Sequence, residues 1–446
     1  MTKLYLNLPI LIANTTMIFQ SGLTIIVPVK DGNALSQLRT FLEELGKDPG
    51  NNPHVPFSKL DTIHYCRWFI IDQLRAESGA YEPPTLAFTS NYDGEVNGHL
   101  QDLMRLFEKG FDLIYQYCDG YPGASASTAD KIKYLLSYQV ENRLFWGAMR
   151  FYTVKELRME NQLRYALETF IDSKDFRKSS PKEVYQAILS YVENSEYRWA
   201  LQPKEIPPRS WWIRYWGKLV LILAGLLVLL LPILPFLICW VLIGRYFEKR
   251  DDAKRAYYRK LGFTDGSHNV DELMKIENLQ PQNQLTVYGT IKTPYWFKRT
   301  TLKLAIKLFK LNGTYRSTKG KLSGIETVHF ARWVIFNNNQ SVMFLSNYDG
   351  AWEKYLSEFI DHAANAMNLT FSNMIGYPQV KWMIKEGAHD EMLFKSTVRQ
   401  NQYPTQVWYT AYPDMTVKNM LNNKRIRDGL SKKLNEKELT EWLKNF

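Results

Sequence analysis

Cysteine is scarce in this chain. Three residues in 446 (Cys66, Cys118 and Cys239) cannot make a disulfide framework, and none stands in a C-x-x-C pair. A secreted, disulfide-stapled protein is therefore not expected. The sequence also has no G-x-x-x-x-G-K-[ST], no G-x-G-x-x-G after a strand, no H-E-x-x-H and no G-x-S-x-G. The usual sequence grounds for nucleotide hydrolysis, zinc proteolysis and α/β-hydrolase chemistry are missing. Zinc-finger spacing, a basic zipper and an RNP-like aromatic strand are missing too, so nucleic acid is not the expected partner. With 45% apolar, 14% aromatic and 23% charged residues, the composition is that of a folded protein. The length suits two or three domains.

The net charge of +11 is unevenly placed. Residues 1–200 hold 21 Lys/Arg and 24 Asp/Glu, a net of −3; residues 201–446 hold 35 and 21, a net of +14. The second half faces an anionic partner. The charge clusters around one segment. Leu219 to Gly244 reads LVLILAGLLVLLLPILPFLICWVLIG, with no charged residue. About 20 apolar residues suffice to span a bilayer. Trp211, Trp212, Tyr215 and Trp216 precede it, and Trp240 and Tyr246 lie at its far end, as interfacial aromatics do.

Two features argue for a hairpin over a single span. Pro232 and Pro235 interrupt helix hydrogen bonding at its middle. Basic residues flank both ends: Lys204, Arg209, Arg214 and Lys218 before it; Arg245, Lys249, Arg250, Lys254 and Arg255 after it. Both flanks then belong on the cytoplasmic side. A Pro-kinked single span is the alternative. At the N-terminus, Leu4 to Ala13 is apolar but broken by Asn7 and Pro9, so neither a signal peptide nor a transit peptide is read there.

An internal repeat flanks the segment. T-I-H-Y-C-R-W-F-I-I (62–71) matches T-V-H-F-A-R-W-V-I-F (327–336), and S-N-Y-D-G recurs at 90–94 and 346–350. G-Y-P recurs at 120–122 and 376–378, T-V-K at 153–155 and 416–418, and L-T-I-I-V-P-V-K (23–30) resembles L-T-V-Y-G-T-I-K (285–292). In each half, strands are expected near 22–29, 62–71, 85–91 and 143–151, or 284–291, 327–336, 341–347 and 405–412. Helices are expected between them and after T-V-K. The fold class is α+β: β-α-β-β-α-β plus extra helices, twice, the ferredoxin-like pattern.

Both faces of the 62–71 strand carry bulky side chains, so the two sheets are expected to pair face to face, within one chain or between chains of a homo-oligomer. If they pair within the chain, both repeats lie on one side of the membrane. The domains are repeat 1 (1–178), a linker (179–208), the membrane segment (209–250), a basic linker (251–280) and repeat 2 (281–446). At 296–311, Lys303, Lys307 and Lys310 form one stripe on an otherwise apolar helix. It suits both core packing and an in-plane position on anionic lipid.

The candidate chemistry lies in H-x-x-R-W beside S-N-Y-D-G. Strand alternation would put His64 and Arg67, and likewise His329 and Arg332, on opposite faces. A buried arginine needs a partner, and Asp93 and Asp349 are the nearest carboxylates by motif; both could also cap the helix that follows. The structural reading is an Arg–Asp tie plus a satisfied core histidine in each half. The functional reading is a polar cluster in which His329 or His64 ligates a cofactor and Arg67, Arg332, Asp93 and Asp349 serve catalysis. In G-A-H-D-E, His389 and its acidic neighbours read as a helix start. His54, His99, His268 and His362 show no ligand spacing.

Tandem ferredoxin-like halves resemble the dimeric α/β-barrel group that includes dye-decolourising peroxidases and chlorite dismutases. G-F-T-D-G at 262–266 is similar to the G-x-x-D-G of those peroxidases. The resemblance implies a haem cofactor, Asp265 as distal acid/base, His329 as proximal ligand and Arg332 as distal arginine. The chain also looks like bacterial membrane proteins of unassigned activity that carry H-F-A-R-W and S-N-Y-D-G. The expectation is a membrane-attached redox enzyme, haem-dependent and peroxidase-like, acting on an apolar or lipid-derived substrate. The alternative is a non-catalytic membrane scaffold or effector that binds a partner through its paired repeats.

Overall fold

The computed structural model describes residues 19–261, 263, 273, 277, 280–316 and 320–446. Its first half runs β1 (Gln20–Pro28), α1 (Ala34–Gly46), β2 (Ile63–Ile71), β3 (Thr85–Asp93), α2 (Val96–Tyr115), α3 (Thr128–Ser137), β4 (Asn142–Gly147) and α4 (Val154–Asp172). The connection holds α5 (Pro181–Glu193), α6 (Arg209–Ala253) and α7 (Arg255–Lys260). The second half runs β5 (Gln282–Thr290), α8 (Tyr295–Tyr315), β6 (Val328–Phe336), β7 (Ser341–Asp349), α9 (Trp352–Phe371), α10 (Glu391–Gln400), β8 (Val407–Thr410), α11 (Val417–Leu430) and α12 (Glu436–Leu443).

Two four-stranded antiparallel sheets form, and neither belongs to one half. The first has the order β1-β3-β2-β8 and the second β4-β6-β7-β5. Each half therefore gives its last strand to the other half's sheet. β8 pairs with β2 (Trp408 opposite Arg67), and β4 pairs with β6 (Phe145 opposite Arg332). The expectation of one self-contained sheet per half is corrected here. Periodicity shows that a segment is a strand, but not which edge receives it.

The chain leading into each exchanged strand stays on its own half. Val140 donates its N–H to Thr24 O (2.9 Å) and Ile26 to Tyr138 O (3.2 Å), while Tyr403 donates to Thr286 O (3.0 Å) and Tyr288 to Asn401 O (3.3 Å). These two seams join the sheets edge to edge into a ring of strands.

Alternation divides the side chains between the two faces. Outward-facing Trp68 packs on Phe88 (ring centroids 4.7 Å apart) and Phe111 (5.4 Å) beneath α2; its counterpart Trp333 packs on Phe344 (4.3 Å) and Phe309 (5.7 Å) beneath α8 and α9. Inward-facing Phe69, Ile71 and Ala87 of the first sheet meet Val334, Phe336, Met343 and Leu345 of the second in one apolar cluster.

A separate helical core crosses the halves again: Leu163, Leu167, Ile188 and Val192 pack with Ile426, Leu430 and Trp442. Residues 179–208, expected as a linker, thus contain a packed helix. Ser180 and Glu183 form a capping box ahead of it, with Pro181 in its first turn, and Val184, Ile188 and Val192 supply the buried stripe.

α6 is helical over 45 residues and contains two stretches long and apolar enough to cross a membrane, Arg209–Leu229 and Leu231–Ala253. Its two ends are seated on the body. Tyr215 lies against Tyr315 (4.8 Å) and accepts from Arg150 (3.2 Å). Trp240 stacks on Phe297 (4.6 Å) and donates Nε1–H to Thr301 (3.1 Å). Between these feet the side chains are exposed, with Leu227 at 76% and Phe236 at 75%.

Because the last strand of each half completes the other sheet, the halves should not fold apart. Fragments 1–204 and 252–446 are expected to aggregate when expressed singly and to co-purify as a 1:1 complex when co-expressed. A soluble, monomeric single fragment with native-like circular dichroism would count against the strand exchange.

Candidate functional site

Both histidines sit at β-bulges. The β2–β3 register slips between Ile63 and Tyr65, and the β6–β7 register between Val328 and Phe330. The extra residue is His64 in one half and His329 in the other. A bulge re-aims a side chain and breaks the two-residue alternation. His64 and Arg67 consequently both reach the space between the sheets: the His64 ring lies 5.1 Å from that of Phe330, and His329 lies 5.5 Å from Tyr65.

The carboxylate ties run to histidine, which corrects the expected Arg–Asp pairing. His64 Nε2 bonds Asp93 Oδ1 at 2.9 Å, and His329 Nε2 bonds Asp349 Oδ1 at 2.6 Å. His64 Nδ1 bonds the hydroxyl of Tyr412, from the other half. The second carboxylate oxygens accept from the first N–H of a helix: Asp93 Oδ2 from Val154 (2.8 Å) and Asp349 Oδ2 from Val417 (2.7 Å). The aspartates therefore anchor α4 and α11, not the helices that immediately follow them. Those starts are ready for an anion, because their orphan N–H groups and dipole favour negative charge. Thr153 and Thr416 cap the same helices, each with a reciprocal box. This is what the repeated T-V-K does.

The arginines cross between the sheets. Arg67 donates through Nη1 to Gln284 Oε1 (2.9 Å), Leu285 O (3.2 Å) and Thr286 Oγ1 (2.9 Å), and through Nη2 to Ser346 O (3.0 Å) and Asn347 Oδ1 (2.5 Å). Arg332 mirrors it, donating to Leu23 O (2.5 Å), Thr24 Oγ1 (3.1 Å), Ser90 O (2.7 Å) and Asn91 Oδ1. Every one of these partners is neutral. Burial pushes both guanidinium groups down to about 9, and the charge of Arg332 adds to the effect at Arg67.

S-N-Y-D-G can now be read residue by residue. The serine carbonyl and asparagine amide take the other half's arginine, and the aspartate takes histidine and a helix start. The tyrosine stacks flat on the next helix: Tyr92 on His99 and Tyr348 on Tyr355, each at 3.8 Å and 6°. The glycine turns the chain at positive φ, +97° at Gly94 and +79° at Gly350. His99 stands where the second half has a tyrosine. Burial lowers its imidazole to about 3, so it is a neutral aromatic plate at ordinary pH. Asp390, in G-A-H-D-E, caps α10 through Leu393 N–H (3.0 Å), as expected. Sequence reasoning did not single out Asn91, Asn347, Thr24, Thr286 or Tyr412. The first four stand in repeated motifs, which was the available signal.

These residues do not fit haem as arranged. A ligating imidazole needs a ring nitrogen facing an open slot. His64 uses both nitrogens within the protein, and His329 gives Nε2 to Asp349 while 2% exposed. Among the described residues, no group of three or more His, Cys, Asp or Glu side chains could hold a metal ion. Asp265 and His268, like the apolar stretch at 4–13, lie outside the described residues. An apolar cavity lined by Phe344, Phe359, Phe371 and Phe394 measures about 30 Å³, space for no more than a few water-sized groups and none for a macrocycle. The chain matches no protein-family model, no curated protein and no solved structure.

Haem titrated into detergent-purified protein is expected to give no Soret band that depends on His329. His329→Ala and Asp349→Asn should instead lower the melting temperature by several degrees, since an unpaired buried polar group costs about 1–3 kcal/mol. A Soret band lost in His329→Ala would restore the haem reading.

Proposed function

We propose that this chain is a non-catalytic scaffold attached to one face of a membrane, with two tandem ferredoxin-like halves forming a single body. What carries the reading is the seating of α6. Its two feet, Tyr215 and Trp240, rest on the same helix, α8, at Tyr315 and at Phe297 and Thr301. From Tyr215 to Trp240 the helical contour is about 37 Å, whereas from Tyr315 to Thr301 along α8 it is about 21 Å. The longer path leaves the body and returns to it, with Pro232 and Pro235 in between, where helix bends are ordinarily found. A single span would carry its two ends to opposite faces of the bilayer.

Other surfaces support the same orientation. α8 exposes Trp296 (55%), Leu304 (45%) and Leu308 (50%) beside Lys303, Lys307 and Lys310, while Leu302, Ala305, Ile306 and Phe309 pack inward. Both expectations for this helix are thereby combined: one face is core, and the other suits the headgroup layer. An apolar surface of this extent would not persist in water. The basic residues at both feet favour the cytoplasmic side. The oxidoreductase expectation draws no support from this geometry, because His64, His329, Arg67, Arg332, Asp93 and Asp349 are engaged in ties within the protein.

Cysteines placed at Glu205 and Lys260, in a chain whose Cys239 is replaced by serine, test the topology. In sealed right-side-out and inverted vesicles, a membrane-impermeant maleimide should label both sites in the same preparation. Labelling in opposite preparations would establish a single span and overturn the reading.

A further inference from the structure

The C-terminal foot of α6 closes over a polar cavity of about 80 Å³, several times the roughly 10–15 Å³ that admits one water. One wall is apolar: Gly244, Phe297 and Met383 line it where α6 meets α8. A Cβ at Gly244 would come within 2.9 Å of Met383 Sδ and push the thioether aside. The opposite wall is charged. Lys298 and Asp251 pair at 2.6 Å, Lys292 reaches the same carboxylate at 3.8 Å, and Arg255 and Arg259 stand at the exposed side. The remaining acids are engaged: Glu248 holds Arg245 (2.8 Å) and the N–H groups of Trp382 (3.1 Å) and Met383 (2.6 Å), and Asp252 accepts from Gln379 (2.6 Å).

Two groups in this cavity are under-satisfied. Lys292 Nζ donates to Ser372 O (2.9 Å), although an ammonium carries three donors. Burial pushes it down to about 8, with Asp251 pulling it back up and Lys298 and Arg255 lowering it further. Asp251 Oδ1 is buried without a hydrogen-bond partner, with Arg250 Nη2 at 3.8 Å. A ligand that satisfied both would bring an anionic acceptor to Lys292 and a donor to Asp251. Gly244 on the apolar wall directly follows the exposed Val241, Leu242 and Ile243 of α6.

We propose that this cavity binds the head of a phospholipid: the phosphodiester against Lys292 and Arg259, and an N–H or O–H of the headgroup against Asp251, with the acyl chains running out along Gly244 and Phe297. Ethanolamine and glycerol headgroups have the needed donor; choline has none. The proposal rests on the membrane attachment argued above and adds headgroup selectivity to it.

The test uses the full chain in detergent, with calorimetric titration of dihexanoyl phospholipids below their micellar concentration. Phosphatidylethanolamine or phosphatidylglycerol should bind at least tenfold more tightly than phosphatidylcholine. Lys292→Met and Arg259→Gln should each weaken that binding by tenfold or more, while Lys437→Gln, exposed on α12, leaves it unchanged. Arg259 is exposed, so its variant does not depend on repacking a buried site. Equal binding of phosphatidylcholine, or indifference to both cavity variants, would overturn the proposal. Inorganic phosphate binding as tightly as the lipids would overturn it in favour of a free-phosphate site. Flotation on pure phosphatidylcholine vesicles separates the two readings: a protein that floats without headgroup selectivity loses only the cavity proposal, and one that does not float loses the attachment as well.

Discussion

Two buried arginines with no carboxylate beside them hold the molecule together. Arg67 and Arg332 each leave their own sheet and spend their donors on carbonyls, side-chain amides (two for Arg67, one for Arg332) and a hydroxyl of the other half. Burying a cation costs several kcal/mol unless its hydrogen bonds are remade. Here they are remade across the boundary between the halves, so the charge is tolerated only while the halves stay together. The exchange of β4 and β8 imposes the same condition through the backbone. Guanidinium suits the task, because its planar fork reaches several acceptors at once and stays protonated even when burial lowers it to about 9.

This constraint accounts for the pattern of repetition. L-T, H-x-x-R, S-N-Y-D-G and T-V-K recur because each is one end of a tie whose other end lies elsewhere in the chain. Leu23 and Thr24 receive Arg332, and Leu285 and Thr286 receive Arg67. Loss of a motif in one half would strand a charged or polar group in the other. Retention of both copies is thus accounted for by stability.

The strands, the outward tryptophans and the helices after T-V-K were legible from periodicity and repetition. Three things were not. The bulges at His64 and His329 were hidden, because one extra residue in a ladder leaves no mark on composition, yet it decides which way the imidazole points. The recipient of β4 and β8 was hidden because strands of this amphipathic kind pair equally well with either edge. The partners of Asp93 and Asp349 were hidden because a carboxylate's preference for a helix start does not say which start. Val154 and Val417 lie more than sixty residues downstream of the aspartates they bond. Local rules named most strands and helices of the two halves but missed the helix at Pro181–Glu193, and the other misreadings concern contacts between distant parts of the chain.

The departures from symmetry point to where the molecule acts. α1 and α8 are counterparts in the repeat, yet α1 contains no lysine, whereas α8 carries a stripe of three and both feet of α6. The net charge of −3 before residue 200 and +14 after it has the same origin. The ties are doubled because each half must hold the other, and even the bond from Lys292 to Ser372 O has its counterpart in Lys30 and Gln116 O, whereas the lysine stripe of α8 has none on α1. A duplicated fold can let one copy of a surface diverge as long as the interior ties are kept. The surface of α8 and the α6 foot beside it combines exposed leucines, lysines and an under-satisfied ion cluster within a few turns of helix. Lipid meets all three with one kind of molecule, because it brings hydrocarbon, negative charge and hydrogen-bonding headgroups to the same plane.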